Sequence, residues 1–157
     1  METKIISAFP ACGKTFFCKH HSGVLDSDSS RFSWLKDEDG NNTRVRNPAF
    51  PDNYIEHIKE NIGKVDIIFV SSHKEVRDAL ERNNLPYTLV YPDISLKEEW
   101  IRRLKARGDD EGFINFISEN WETFINEMDN EVYPAKIKLI HPNSYWGALQ
   151  LNGEAEG

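Results

Sequence analysis

The chain alternates short apolar runs with longer segments whose apolar residues recur at helical spacing, and this alternation constrains the fold more than any other feature. The run 65–70 is almost entirely apolar and ends at two serines, a pattern typical of a strand that is covered on both faces. Further strands are predicted over 4–8, 23–25, 87–91 and 136–140. Because strands that alternate with helices form parallel sheets, the sequence predicts an α/β fold with a central, mostly parallel five-stranded sheet.

Helices are predicted between these strands. They run from 14 to about 19, from the polar cluster 26–30 through Leu35, and over 52–62, 73–82, 95–107 and 111–128. The stretch 36–50 is rich in Asp, Gly and Asn and is predicted to be a mobile loop. The segment at about 95–112 begins with an arginine-rich helix, and we expect it to form a small helical lid.

The length of the chain limits the number of domains, and its charge limits the class of partner. The chain has 157 residues, close to the roughly 150 expected of one domain. We therefore expect one domain over 1–146, as a monomer or a homodimer, with a flexible tail over 147–157. The sequence shows neither a membrane span nor a signal peptide, which favours a cytoplasmic protein with no membrane contact. The formal net charge of -7 disfavours a protein that coats duplex nucleic acid, although a local basic groove stays possible.

The turn between the first strand and the first helix reads AFPACGKT over residues 8–15. This is the phosphate-binding pattern GxxxxGK[ST], with Ala8 in place of the first glycine. In such a loop, backbone N–H groups bind phosphate oxygens, Lys14 reaches the β- and γ-phosphates of ATP, and the Thr15 hydroxyl holds Mg²⁺. The predicted nucleotide-binding residues are Pro10, Ala11, Cys12, Gly13, Lys14, Thr15 and Phe16. The alternative is an ordinary helix start.

A second polar cluster follows the second strand, at the sheet edge where open α/β sheets bind ligands. Asp28 is suited to take the proton of an acceptor hydroxyl, and Arg31 is suited to stabilise the charge on a phosphoryl group in transfer. Asp26 is predicted to contact the substrate. The same residues could instead cap a helix.

Two further groups of residues complete the predicted site. Arg103 and Arg107 share one face of the helix 95–107 and are predicted to lie over the transferring phosphate. The alternative is that these arginines pair with glutamates of their own helix. Arg46, Asn53 and Tyr54 offer guanidinium, amide and aromatic groups for a nucleotide or nucleic-acid acceptor.

The runs 8–15 and 24–31 together resemble the small P-loop kinases of nucleosides, nucleotides and polynucleotide ends, many of which are phage-encoded. The resemblance implies a three-layer αβα P-loop NTPase fold and transfer of the γ-phosphoryl group of ATP, with Mg²⁺, to an acceptor hydroxyl. It also implies that Asp28 is the general base and that Arg31 contacts phosphate. A related branch, which the chain also resembles, phosphorylates 5-hydroxymethyluracil within DNA.

The chain departs from this pattern after the third strand. Many P-loop enzymes have an Asp there that orients Mg²⁺, whereas this chain continues with Ser71 and Ser72. The metal is therefore assigned to Thr15 and the nucleotide, with Asp26 or Asp28 acting through water. The alternative function is a P-loop nucleotide-binding regulator, or a simple NTPase without a phosphoryl acceptor.

Overall fold

The computed structural model describes residues 3–13, 23–27 and 29–141, apart from the side chain of Ser30. Several predicted features lie outside the described residues. These are the helix at 14–19, the tail at 147–157, and the site residues Lys14, Thr15, Phe16 and Asp28.

The strands of the described residues are β1 (Lys4–Ala8), β2 (Val24–Asp26), β3 (Trp34–Lys36), β4 (Asn42–Arg46), β5 (Ile67–Ser71), β6 (Thr88–Pro92) and β7 (Ala135–Leu139). Five of them form one sheet in the order β2-β5-β1-β6-β7, and every neighbouring pair is parallel. The α/β class and the five-stranded parallel sheet predicted from the sequence are confirmed.

The helices are α1 (Ser30–Ser33), α2 (Asp52–Asn61), α3 (Lys74–Arg82), α4 (Lys97–Ala106), α5 (Glu111–Glu119) and α6 (Trp121–Asp129), with a 3₁₀ turn at Ile94–Leu96. The prediction of one helix over 111–128 is wrong, because the segment is divided at Asn120. The Asn120 side-chain amide donates a hydrogen bond to the Phe116 carbonyl oxygen at 2.9 Å. Asparagine favours helix ends over helix interiors because its side chain competes for backbone partners in this way.

The segment after β2 also differs from the prediction. The helix expected to continue through Leu35 ends at Ser33, and the expected loop over 36–50 contains β4, which pairs antiparallel with β3. The Asp37 carboxylate closes this hairpin by accepting the backbone N–H groups of Asp39 and Asn41, at 3.0 and 2.9 Å. The Asp, Gly and Asn residues therefore form a tight turn between two strands.

The core lies between the sheet and the helices. The connections from β2 to β5 and from β5 to β6 run in the same direction across the sheet. Because parallel crossovers are right-handed, α2 and α3 lie on the same face, where they contact each other. The largest fully buried side chains include Trp100, Trp121, Tyr54, Tyr91, Phe69, Ile6, Ile58, Leu80, Leu89 and Leu104. The helix α4 of the predicted lid thus contributes to the core.

The strand order identifies a place for a ligand. The connection after β1 leads toward β2 at one edge of the sheet, whereas the connection after its neighbour β6 leads to β7 at the other edge. Open α/β sheets bind ligands outside the carboxyl ends of strands at such a switch point. The turn 9–13 lies there. Within the described ranges, no helix is both long enough and apolar enough to cross a bilayer.

Candidate functional site

The turn 9–13 begins as an extension of the sheet and then reverses. The Phe9 amide donates to the Val90 carbonyl oxygen at 2.9 Å. Ala11 and Gly13 then take positive φ angles of 65° and 95°. No backbone carbonyl of a described residue accepts the N–H of Ala11 or Gly13. Turns with left-handed residues and unused N–H groups form anion-binding concavities in many proteins.

Two side chains of α4 fix the orientation of this turn. Trp100 Nε1 donates to the Pro10 carbonyl oxygen at 2.8 Å, and Arg103 Nη1 donates to the Ala11 carbonyl oxygen at 3.0 Å. In a trans peptide the C=O and the N–H point in opposite directions. Because both carbonyls point toward α4, the N–H groups of Ala11 and Cys12 point away from it. The helix therefore presents these N–H groups on the outer side of the turn.

Arg103 is held in place by several contacts at once. It is only 6% exposed, and its guanidinium carbon lies 3.9 Å from the centre of the Trp100 ring. Its Nε donates to the Glu99 carboxylate at 2.8 Å. Hydrogen bonds from Arg102, and less strongly from Arg103, lower the pKa of Glu99 to about 2. Arg103 therefore pairs with a glutamate of its own helix, as the alternative interpretation proposed, and it also contacts the turn through the Ala11 carbonyl.

The remaining charged residues of the predicted site are more accessible. Arg107 follows α4, is partly exposed and pairs with Asp109. Arg31 is exposed on α1, and it contributes to lowering the pKa of His57, although burial of the imidazole contributes more. Asp26 is the exposed last residue of β2, paired in register with Phe69.

Besides Asp26, the sequence predicted that Tyr54, Asn53 and Arg46 bind substrate, and each of these three has partners within the protein. Tyr54 is fully buried, and its hydroxyl donates to the Ser27 carbonyl oxygen at 2.6 Å and accepts the Ser71 amide at 3.3 Å. It therefore joins the carboxyl ends of β2 and β5. The Asn53 amide donates to the Phe32 carbonyl oxygen at 2.9 Å.

Arg46 connects the hairpin to the main domain. It pairs with Glu75 of α3 at 2.7 Å, and its guanidinium lies over the rings of Trp34 and Phe50. Like Tyr54 and Asn53, Arg46 therefore holds together structural elements that surround the site. In its case these elements are the hairpin and α3.

A cavity of about 400 Å³ opens beside the turn, between the carboxyl ends of β1 and β5 and the helices α3, α5 and α6. Its lining comprises Ala8, Phe9, Pro10, Ser71, Ser72, His73, Lys74, Arg77, Arg107, Phe113, Phe116, Ile117, Phe124, Glu127 and Met128. This cavity could not be predicted from the sequence, because aromatic residues at helical spacing, as in 111–128, ordinarily indicate a face that packs against the core. The sequence signal nearest to it is the group of three phenylalanines, Phe113, Phe116 and Phe124, which line the cavity.

One buried cation lies in the lining. Arg77 is 3% exposed, and its Nε donates to the Ser72 carbonyl oxygen at 2.8 Å. It forms ion pairs with Glu127, at 2.6 Å, and with Glu131. The positive charge of this buried guanidinium is neutralised by the two carboxylates. Because Glu127 belongs to α6, the ion pair also holds α3 against α6.

Two buried hydroxyl groups at the strand ends have no hydrogen-bond partner among the described residues. They are Ser27 Oγ, just after β2, and Ser71 Oγ, at the end of β5. Ser71 is paired in register with Ala8, so its hydroxyl lies near the start of the turn. Buried hydroxyls are normally satisfied by protein, water or a ligand, so these groups mark the edge where a ligand or its water would bind.

The described residues hold no group of three or more His, Cys, Asp or Glu side chains that could bind a metal ion. Neither the models of known protein families nor the curated proteins contain a match to the chain. The assignment of function therefore depends on the geometry of the turn, the strand ends and the cavity.

Proposed function

We propose that the chain is a P-loop kinase of the αβα NTPase fold that transfers the γ-phosphoryl group of ATP to a hydroxyl of a nucleoside, a nucleotide or a nucleic acid, modified bases such as 5-hydroxymethyluracil included. The observation that carries the proposal is the turn 9–13. It leaves the central strand at the switch point of the sheet, has left-handed backbone at Ala11 and Gly13, and has its carbonyls engaged by α4. Gly13 is followed by Lys14 and Thr15, as the motif requires.

The turn fits a polyphosphate by its own chemistry. The N–H groups of residues 11–13 would hold phosphate oxygens, Lys14 would reach the β- and γ-phosphates, and Thr15 would bind Mg²⁺. Mg²⁺ keeps several of its water ligands in proteins, and the hydroxyls of Ser27 and Ser71 are suited to bind such waters. When bound, ATP with Mg²⁺ supplies an activated phosphoryl group whose charge the metal partly neutralises.

The acceptor is activated by the residues after β2. Its hydroxyl oxygen forms the new bond to phosphorus while the bond to the ADP oxygen breaks, and its proton passes to Asp28, the proposed base. Arg31 and Arg107 are the exposed cations proposed to stabilise the charge on the phosphoryl group, for which Arg107 would exchange its ion pair with Asp109. Arg103 contributes indirectly, as a positioning residue for the turn.

Labelled ATP tests this proposal directly. The whole protein is incubated with γ-labelled ATP, Mg²⁺ and a panel of nucleosides, nucleotides and oligonucleotides, some with 5-hydroxymethyluracil, and transfer of label to one acceptor class is expected. Lys14→Ala should abolish transfer. Lys64→Ala is the matched control, because Lys64 is exposed and precedes β5, at the opposite end of the sheet. Equal transfer by the two variants would refute the role of the turn.

The same assay distinguishes the alternative function. A regulator or simple NTPase would bind or hydrolyse ATP in a manner that depends on Lys14, yet would label no acceptor in the panel. That result would retain the phosphate-binding turn and overturn the kinase assignment.

A further inference from the structure

The cavity beside the turn has one wall of aromatic side chains. Phe113 and Phe116 come from α5 and Phe124 comes from α6, and the rings of Phe116 and Phe124 lie 5.4 Å apart, edge to face. Phe116 is 51% exposed, so a large part of its ring surface is accessible to a ligand. Such a wall offers flat apolar surface on which a planar ring can stack.

The charges around the cavity argue against an anionic occupant. Arg77 is neutralised by Glu127 and Glu131, and Glu127 itself lines the cavity with its side chain 32% exposed. The other two lining cations also face carboxylates, since Lys74 pairs with Asp78 at 2.9 Å and Arg107 pairs with Asp109. A phosphate group inside this cavity would meet the Glu127 carboxylate and would have to displace existing ion pairs.

The opposite edge of the cavity is polar and adjoins the phosphate-binding turn. Ser71 and Ser72 line this edge beside Ala8 and Phe9. The Ser71 hydroxyl has no hydrogen-bond partner among the residues that the structure describes. A ring stacked on the phenylalanines would thus have hydrogen-bonding groups on the side that faces the transferring phosphate.

We propose that this cavity is the acceptor subsite and that it selects an uncharged planar ring, with the hydroxyl to be phosphorylated at its β1–β5 edge. The inference rests on the proposed kinase function and specifies the acceptor class of the same site. The cavity volume of about 400 Å³ lies within the range of small-molecule sites and suits a nucleobase or a nucleoside. Two sources offer such a ring, a free nucleoside and a base in a strand whose phosphates remain outside, and the probes below distinguish them.

Equilibrium binding without ATP tests the subsite independently of phosphoryl transfer. The probes are nucleosides of the common bases and of 5-hydroxymethyluracil, the matching 5′-monophosphates, and short single-stranded oligonucleotides with those bases. Nucleosides should bind more tightly than their monophosphates, by roughly five-fold or more for charge repulsion across a few ångströms. If the natural source of the ring is a strand, the oligonucleotide should bind more tightly than the nucleoside.

Three variants assign the binding to this cavity. Phe116→Ala removes a half-exposed ring and should weaken nucleoside binding by about five-fold or more, the lower range for a base stacked on an aromatic side chain. Val132→Ala is the matched control, because Val132 is 94% exposed and does not line the cavity. Glu127→Gln should narrow the difference between nucleoside and monophosphate, since it removes the repelling charge.

The outcomes separate this inference from the proposed function. Tighter binding of monophosphates than of nucleosides, or no loss with Phe116→Ala in a folded variant, would overturn the inference. Selective nucleoside binding that depends on Phe116, without any phosphoryl transfer, would support the subsite and overturn the kinase.

Discussion

Arg103 and Ala11 lie 92 positions apart in the chain and are joined by a hydrogen bond of 3.0 Å from the guanidinium Nη1 to the carbonyl oxygen. The same guanidinium pairs with Glu99 and stacks on Trp100, which itself donates to Pro10. Side chains of helix α4 therefore hold the backbone of the turn 9–13 in place. Any movement of α4 must change the orientation of the peptide groups that we propose to hold phosphate.

Arg103→Lys should weaken both the fold and ATP binding. An ammonium group keeps the charge but has no planar fork, so it cannot reach Glu99 and Ala11 in the same way. We expect the free energy of unfolding to fall by about 1–3 kcal/mol, the usual cost of losing a hydrogen bond to a charged group. The KM for ATP should rise because the turn is less well oriented. Denaturant unfolding and steady-state kinetics measure the two effects.

Arg102→Lys is the matched control for that substitution. Arg102 also pairs with Glu99, but its side chain is 62% exposed. Exposed ion pairs contribute about 0–1 kcal/mol, so this variant should stay close to the parent in stability and in KM for ATP. Equal losses for the two variants would contradict a specific role for the contact between Arg103 and Ala11.

Glu99 should make the stability of the protein depend on pH in the acidic range. The arginines lower its pKa from the ordinary 4.5 to about 2, so the ionised carboxylate is favoured in the folded state. Because the folded pKa is the lower one, this stabilisation is complete above the unfolded pKa and is lost as the pH falls from about 4.5 toward 2.

Unfolding of the parent and of Glu99→Gln at a series of pH values measures this contribution. The parent should be the more stable protein near neutral pH, and the difference should shrink as the pH falls toward about 3. A difference that stays constant with pH would mean that the Glu99 carboxylate is not stabilised by its arginine partners.

The sequence could predict the five strands of the main sheet from short apolar runs, and most of the helices from apolar residues at helical spacing. The segments 4–8 and 73–82 are examples, because the first is a short apolar run that ends at a turn with Pro and Gly, and the second has its apolar residues at helical spacing. The position of the turn at the carboxyl end of β1 could be predicted as well, since the motif directly follows the first strand.

The roles of several polar residues could not be predicted, because their partners are backbone groups far away in the chain. Arg103 donates a hydrogen bond to the carbonyl of Ala11, and Tyr54 donates one to the carbonyl of Ser27. Both side chains are of types that often bind ligands, but here they stabilise the fold. The hairpin 34–46 was missed for a different reason. The Asp, Gly and Asn residues of 36–50 predicted a loop over the whole segment. In the structure, the turn at 37–41 is where the Asp37 carboxylate accepts backbone N–H groups.

Tyr54→Phe should destabilise the protein without changing the volume of its core. The substitution leaves the Ser27 carbonyl and the Ser71 amide without their buried partner, which costs about 1–3 kcal/mol. Tyr133→Phe is the control, since Tyr133 is partly exposed and should change stability little. Thermal unfolding measures both variants. If Tyr54→Phe keeps the parent stability but loses acceptor binding, the hydroxyl contacts the substrate after all.

Gly13→Ala and Ala11→Gly test the shape of the turn from opposite directions. Gly13 has φ 95°, beyond the left-handed region that alanine tolerates, so Gly13→Ala should cost about 1–3 kcal/mol of stability and weaken ATP binding.

Ala11→Gly is the matched control. Ala11 has φ 65°, which glycine adopts without a Cβ clash, and this removes strain from the folded state. The greater freedom of glycine in the unfolded chain opposes that stabilisation. Ala11→Gly should therefore stay within about 1 kcal/mol of the parent and bind ATP. Unfolding and ATP titrations measure both quantities. ATP binding of parental strength by a folded Gly13→Ala variant would mean that the phosphates do not approach this backbone.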